Sequence, residues 1–310
     1  MERTAESVGV WRAAKKFKRK SDLFGRNLSF LCALTVIILT LSIVVFISSK
    51  GLSTFLVNKV SLGEFLFSTE WFPDRGAAEG GPKVGALTFI FGSVATSLLA
   101  VLISAPLSLI TAVFMVEIAP GWGQRILQPT IELLSGIPSV VYGYIGLSVL
   151  VPFIREHLGG LGFSLLAGVL VLSVMVIPTI VSVSVDSLRS LPGHLKEAAY
   201  ALGSTRWQTI RLVLLPAART GLITGIILGL ARAFGEALAV QMVIGNTRKI
   251  AHSLLDPTIT LTSGITMDMG YTAAGSLWNN TLWSMALVLL LMSFFFILLI
   301  KMVVKRGAVK

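Results

Sequence analysis

The sequence is short of charge. Asp, Glu, Lys and Arg make up 13% of its 310 residues, about half the share of an average soluble domain. Cys32 is its only cysteine, which excludes a disulfide scaffold and a cysteine-rich metal site. No Gly-Lys dipeptide occurs anywhere, so the chain lacks the P-loop that would hold nucleotide phosphates. It has no H-E-x-x-H helix and no metal-spaced Cys/His cluster, and His157, His194 and His252 lie far apart in loops. Neither catalysis nor a bound cofactor or metal is expected of this chain. If ATP drives its work, another polypeptide binds and hydrolyses it.

What is present is apolar. Hydrophobic residues make up 54% of the chain and the mean hydropathy is +0.84, more apolar surface than a globular core has use for. The same numbers exclude disorder. A polytopic membrane protein is expected. A net charge of +11 is common in nucleic-acid binders, but here the basic residues cluster in short segments outside the apolar runs, where they set orientation in lipid. No nucleic-acid partner is expected, only membrane lipid.

A span needs roughly 20 residues to cross the hydrocarbon layer. Runs suited to spans cover 27–49, 84–116, 133–154, 158–185, 220–247 and 281–300. The second is long for one span and reads as a tilted or Pro106-kinked helix with a polar-facing tail. Six spans put both termini on one side. That side would carry 18 Lys and Arg residues against seven on the other, so both termini are expected in the cytoplasm. The first run is too long for a signal peptide and has no A-x-A-like site after it, so it is expected to stay as an anchor. The organisation expected is a basic tail (1–26), a first membrane helix (27–49) and an external loop (50–83). A core of five helices (84–304) with an inside loop (186–219) and a short tail (305–310) completes it. The external segments 50–83 and 245–280 are either connectors with interfacial aromatics or docking surfaces for an external protein.

The inside loop is the specific part. Pro192 and Gly193 end the preceding helix, Lys196 to Leu202 favour a helix, Gly203 permits a sharp turn, and Thr205 to Leu214 favour a second helix. Pro216 suits the first turn of the span that follows, or the approach to it. Two short helices meeting at a glycine would form a knob bearing Tyr200, Leu202 and Trp207, suited to a groove on another protein or to the lipid surface. The spacing Glu197-Ala198-Ala199, three residues, Gly203, nine residues, Val213, one residue, Leu215-Pro216 resembles the EAA coupling loop of bacterial ABC-importer permeases, with Val213 where Ile is common. The resemblance implies that Glu197, Ala198, Ala199, Gly203, Leu215 and Pro216 couple the chain to a cytoplasmic ATPase.

The fifth run carries two intramembrane charges. At 100° per residue, Gly221, Gly225, Gly229, Arg232, Glu236 and Ala239 fall within an 80° stripe. Small residues let another helix approach closely. A charge in the bilayer is costly, so it should face the bundle interior or a wet path. Arg232 and Glu236, one turn apart, could pair with each other. The pair reads either as a packing device or as an anion site in which the guanidinium fork binds an oxyanion and Glu236 neutralises Arg232 between substrates.

The string Arg232-Ala233-Phe234-Gly235-Glu236-Ala237-Leu238-Ala239-Val240, followed by Gly245-Asn246, resembles the R-A-x-G-E-T-x-A-V segment of the PstC-type permeases of phosphate ABC importers, with Ala237 where Thr is usual. Leu134 to Gly143, Leu255 to Ser263, Trp71 and Pro73 agree with it. The resemblance implies an all-α type I importer permease with a phosphate path at Arg232 and Glu236. It also implies three partners: a PstA-type sister permease, two PstB-type ATPase subunits that bind ATP and Mg, and a PstS-type phosphate-binding protein. A permease for molybdate or sulfate, or an ion-coupled anion transporter acting alone, are the alternatives. The last would have no need of the EAA loop.

Overall fold

The computed structural model describes residues 2–307, and side chains are described outside 2–24, 77, 122 and 303–307. The side chains of most of the expected basic tail, and residues 308–310 of the C-terminal tail, therefore lie outside the described residues. Six helices are long and apolar enough to cross a membrane: Gly25–Leu56, Leu87–Ile118, Ser139–His157, Leu165–Arg189, Arg206–Gly235 and Leu277–Met302. They are called the first to sixth spans. Residues 1–50 form one compact unit and 51–310 another. The first unit is helical from Glu2 onward, and among its described side chains Phe30, Leu31, Val36, Leu39 and Val45 are exposed, as a lipid-facing helix requires.

The second unit is a helical bundle with one minor departure from an all-α fold. Trp71–Phe72 pairs antiparallel with Lys83–Val84, Trp71 opposite Val84, just before the second span. The second and fourth spans form the centre. Ser173 Oγ donates to the Ala100 carbonyl at 3.2 Å and Ser108 Oγ to that of Ile177 at 3.4 Å. Lipid tails are as apolar as leucine, so such polar contacts and close packing, rather than escape from water, hold membrane helices together. Leu102, Leu107 and Ile110 accordingly point outward from the second span.

Four span boundaries move for identifiable reasons. The third expected run (133–154) falls on two helices, Gln128–Gly136 and Ser139–His157, parted at Ile137 and Pro138. Proline offers no N–H and forces its predecessor out of the helical region, and Ile137 is extended at φ −69°, ψ 127°. The inside loop is shorter than 186–219, because the fourth span runs to Arg189 and the fifth starts at Arg206. Helices that outrun the hydrocarbon carry Arg189, Arg206, Arg211 and Arg219, so charge alone sets their ends too early. The fifth helix in turn stops at Gly235, short of the expected 247.

The segment after the fifth span is no plain connector. It contains Leu238–Val243 and the helix Leu261–Asp268, whose Leu261, Thr262, Ser263 and Gly264 are buried. Gly92 of the second span lies so close to this segment that a Cβ there would sit 2.0 Å from the Ile259 carbonyl oxygen.

Candidate functional site

The EAA loop folds from local signals. Pro192 caps the helix Gly193–Ala201 and Gly203 ends it at φ +77°. The Gly203 N–H donates to the Tyr200 carbonyl at 2.9 Å and the Ser204 N–H to that of Ala199 at 3.2 Å. This is the Schellman closure, which uses glycine because a left-handed residue bears no Cβ penalty there. Thr205 opens the next helix with a capping box: its Oγ1 accepts from the Gln208 N–H, while Gln208 Oε1 accepts from the Thr205 N–H. Pro216 is no span start. The fifth span runs continuously from Arg206 and widens to a π-helical turn at Ile210–Leu214, just before Pro216, where the missing N–H would otherwise break the ladder.

The knob has an inner and an outer face. Ala199, Thr209 and Ile210 are buried, and Ile210 and Leu214 join a core with Met115, Ile131, Val185 and Leu188. Glu197 and Ala198 are exposed, as are Tyr200, Trp207 and, at 89%, Leu202. Of the motif residues, Ala199 and Leu215 pack inward, whereas Glu197, Ala198, Gly203 and Pro216 face outward.

The glycine stripe meets the fourth span. A Cβ on Gly221 would strike Ser187 Oγ at 2.1 Å, and one on Gly229 would strike Ile180 Cγ1 at 2.6 Å, with Gly225 against Ile180 and Ser184 between them. Arg232 continues the same stripe. Its Nη1 donates to Thr179 Oγ1 at 2.9 Å. It is half-buried, and among the described residues this is its one hydrogen bond, which leaves most of its five N–H donors unspent.

The expected Arg232–Glu236 pair is absent among the described ion pairs. Glu236 lies beyond the helix end, with φ −74° and ψ 128°, so the 100° wheel no longer places it above Arg232. Its Oε1 accepts from the Ala239 N–H at 3.1 Å, capping the short helix Leu238–Val243. Its carbonyl accepts from Thr262 Oγ1 at 2.8 Å. Glu236 lines a small cavity together with Ser93, Thr96, Ser97, Thr260 and Thr262 and the apolar Leu172, Phe234 and Val240. The helix break is therefore held by the buried 260–263 segment. Sequence reading noted Leu255 to Ser263 only for its resemblance and missed that it holds the break, although its run of Thr and Ser inside an otherwise apolar stretch was the available signal. Thr179 was missed too, since a lone threonine beside Pro178 carries no pattern.

At the opposite end of the bundle from the EAA loop, three distant segments meet on one carboxylate. Asp268 is 6% exposed. It accepts from Arg248 Nη2 at 3.0 and 2.9 Å and from Trp71 Nε1 at 3.3 Å. The segments around 71 and 248–268 are thus fastened to each other.

A membrane-spanning helical bundle with a structured, outward-facing EAA knob and a half-buried arginine open on the bundle stripe defines a transporter permease built to work with other subunits. Residues 104–308 match the family described as binding-protein-dependent transport system inner membrane component. The chain is 56% identical over 298 residues to the probable ABC transporter permease protein YqgH of Bacillus subtilis, covering 96% of this chain and 95% of that one. It is 38% identical over 262 residues to the phosphate transport system permease protein PstC of Xylella fastidiosa, covering 78% of each. Among solved structures it resembles the bacterial alginate ABC transporter, with a TM-score of 0.61 and 16% identity over 96% of this chain and 98% of that one. The inward-facing MetNI methionine ABC transporter matches at a TM-score of 0.51 and 22% identity, over 70% of this chain and 91% of that one. These two likenesses carry the fold alone.

The chain belongs to the binding-protein-dependent transport permease family. It is an ABC importer permease subunit, a multi-pass inner-membrane protein that works with an ATPase and a substrate-binding protein. It is a transporter component rather than an enzyme, and the self-sufficient carrier is set aside.

Proposed function

We propose that the chain is the PstC-type half of an ATP-driven phosphate importer. The observation that carries this reading is Arg232: a half-buried arginine on the packed stripe, steadied by Thr179 and, among the described residues, unpaired with Glu236 and with no other hydrogen bond. A planar, permanently charged fork suits a tetrahedral oxyanion. The PstC name of relatives at 38% identity supports phosphate in particular.

On this reading a PstA-type subunit supplies the other half of the path, and a PstS-type protein delivers phosphate from outside. Two PstB-type ATPases bind ATP and Mg and dock on the knob through the region of Glu197, Ala198, Ala199 and Gly203, with Leu215 and Pro216 rooting it in the fifth span. Both termini then lie in the cytoplasm with the EAA loop. Glu236 serves by holding the helix break that sets the end of Arg232's helix. A permease for molybdate or sulfate is the second reading. Ala237 favours it, because the hydroxyl usual there in PstC-type chains is missing.

The test is reconstitution of the chain with a PstA-type permease, a PstB-type ATPase and a PstS-type binding protein, followed by ATP-dependent uptake of labelled phosphate. Uptake that excess sulfate and molybdate fail to suppress supports phosphate. Uptake suppressed by either ion assigns that ion instead.

A further inference from the structure

Both arms of the EAA loop grip the last turn of the second span. From the first arm, Lys196 Nζ donates to Glu117 Oε2, in an ion pair whose carboxylate side chain is 9% exposed and whose lysine is 38% exposed. From the second arm, Arg206 Nη2 donates to the Ile118 carbonyl at 3.0 Å. Helix C-termini leave carbonyls without intrahelical partners and carry partial negative charge, so a lysine and an arginine arriving together suit this one. The loop is continuous in sequence with the fourth and fifth spans. The second span is joined to it only through space, across 79 and 88 residues.

We infer that Glu117 and Lys196 form a strut that passes motion of the EAA knob to the second span, making Glu117 a positioning residue for transport coupling. A buried carboxylate with a single cationic partner resists separation, because parting the pair would leave the charge unpaired in a poorly solvated site. The Arg206 contact alone would let the knob pivot about one point. Two contacts from two arms fix its angle as well as its position. The second span in turn bonds to the fourth through Ser108 and Ser173, and the fourth holds Arg232 through Thr179. Knob, second span, fourth span and guanidinium therefore form one mechanical chain. Neither Glu197 nor the rest of the EAA motif takes part in the strut, so it is a separate element of the coupling.

This inference rests on the EAA loop being the ATPase contact, and the experiment separates the two. The importer is reconstituted with Glu117→Gln, Lys196→Met, Lys196→Arg, the double change Glu117→Gln with Lys196→Met, or Gly203→Val. Three quantities are measured: ATPase co-purification, ATP hydrolysis, and inorganic phosphate moved per ATP hydrolysed. The expected result is that Glu117→Gln and Lys196→Met retain the ATPase but lower the phosphate-to-ATP ratio about fivefold. The double change should be no worse than either single change, and Lys196→Arg should be near normal. A normal ratio in both single variants overturns the strut, and so does loss of the ATPase from them, which would make the pair a mere support of the docking face. Because Lys196 is partly exposed, Lys196→Met keeps the test valid should Glu117→Gln fail to insert. If Gly203→Val also leaves both co-purification and ratio unchanged, the loop reading itself fails. If Gly203→Val uncouples while the strut variants do not, only the strut fails.

Discussion

The fifth span has the EAA loop at its start and the Glu236 break at its end, and the two are fixed by different means. The loop's turn closes within ten residues, Ala199 to Gln208, through the Gly203 and Ser204 amides and the Thr205–Gln208 capping box. The break leans on residues far away in sequence. Thr262 reaches the Glu236 carbonyl across 26 residues, and Thr179 reaches Arg232 across 53. A locally closed turn keeps its shape while the rest of the bundle moves, which suits a part that must be gripped from outside. A site assembled from three segments changes whenever those segments shift, which suits a part that must bind and release. On the proposed function, the difference gives the knob the rigid role and Arg232 the switchable one.

The largest expected effect tests the switchable end. Arg232→Ala removes every donor, and phosphate uptake should fall about 100-fold at unchanged membrane level and ATPase co-purification. Arg232→Lys keeps the charge but loses the fork, and uptake should fall between that value and normal. Wild-type uptake in Arg232→Ala would end the distinction between the two regions.

Next comes the rigid end. Gly203 sits at φ +77° with open space around it, so a side chain meets no neighbour there and the cost is backbone strain alone, about 1–3 kcal/mol. Gly203→Val should lower binding-protein-stimulated ATP hydrolysis about tenfold, whereas Gly203→Asn, which tolerates the left-handed region, should stay near normal. Equal loss in both variants would show that the turn conformation is not what matters.

Smaller effects sharpen the contrast. Thr179→Val conserves volume but deletes the hydroxyl that steadies Arg232. The phosphate concentration for half-maximal uptake should rise about threefold, with the maximal rate little changed. The smallest effect is expected at Glu70, between the first two spans. Lys83's hydrogen bond and charge, and then Arg75, hold its carboxyl below the ordinary value of 4.5. A lowered carboxyl contributes its stabilisation above that ordinary value and loses it as pH falls through the lowered one. Nothing should therefore change between pH 6 and 8 (roughly the working range). Uptake in Glu70→Gln should stay within about twofold of normal, as for other exposed pairs.

The same contrast explains what was legible in the sequence. The EAA loop could be read residue by residue because its determinants are neighbours: Pro192, Gly203, Thr205 and Gln208 act over three to five positions, and local chemistry is what a sequence displays. The glycine stripe was legible for a related reason, since helical periodicity is a local rule, and Gly221, Gly225 and Gly229 do meet the fourth span. The rule failed where the helix stopped. The wheel assumed that 100° per residue continued through Gly235, and so it paired Arg232 with Glu236. Thr262 and the buried Leu261–Asp268 helix, which hold the break, lie in a stretch that reads as an external connector. Glu117 was not read from the sequence at all, and its partner Lys196 read only as a helix former. Asp268 gave no sign that Trp71 and Arg248 would converge on it.

The account turns on whether Arg232 is an anion ligand or half of a structural ion pair, and one variant decides between them. Replacing both Arg232 and Glu236 with glutamine removes both charges together. If the two were a packing pair, removing both would cost less than breaking one, and transport would largely return. Because Arg232 bonds to Thr179 and Glu236 caps Ala239 instead, the two losses should add rather than cancel. The measurement is ATP-driven phosphate uptake in proteoliposomes containing Arg232→Gln, Glu236→Gln, the double variant or the unaltered chain, at matched protein and ATPase content. The account predicts that the double variant is at least as impaired as Arg232→Gln alone; near-normal uptake in the double variant would contradict it.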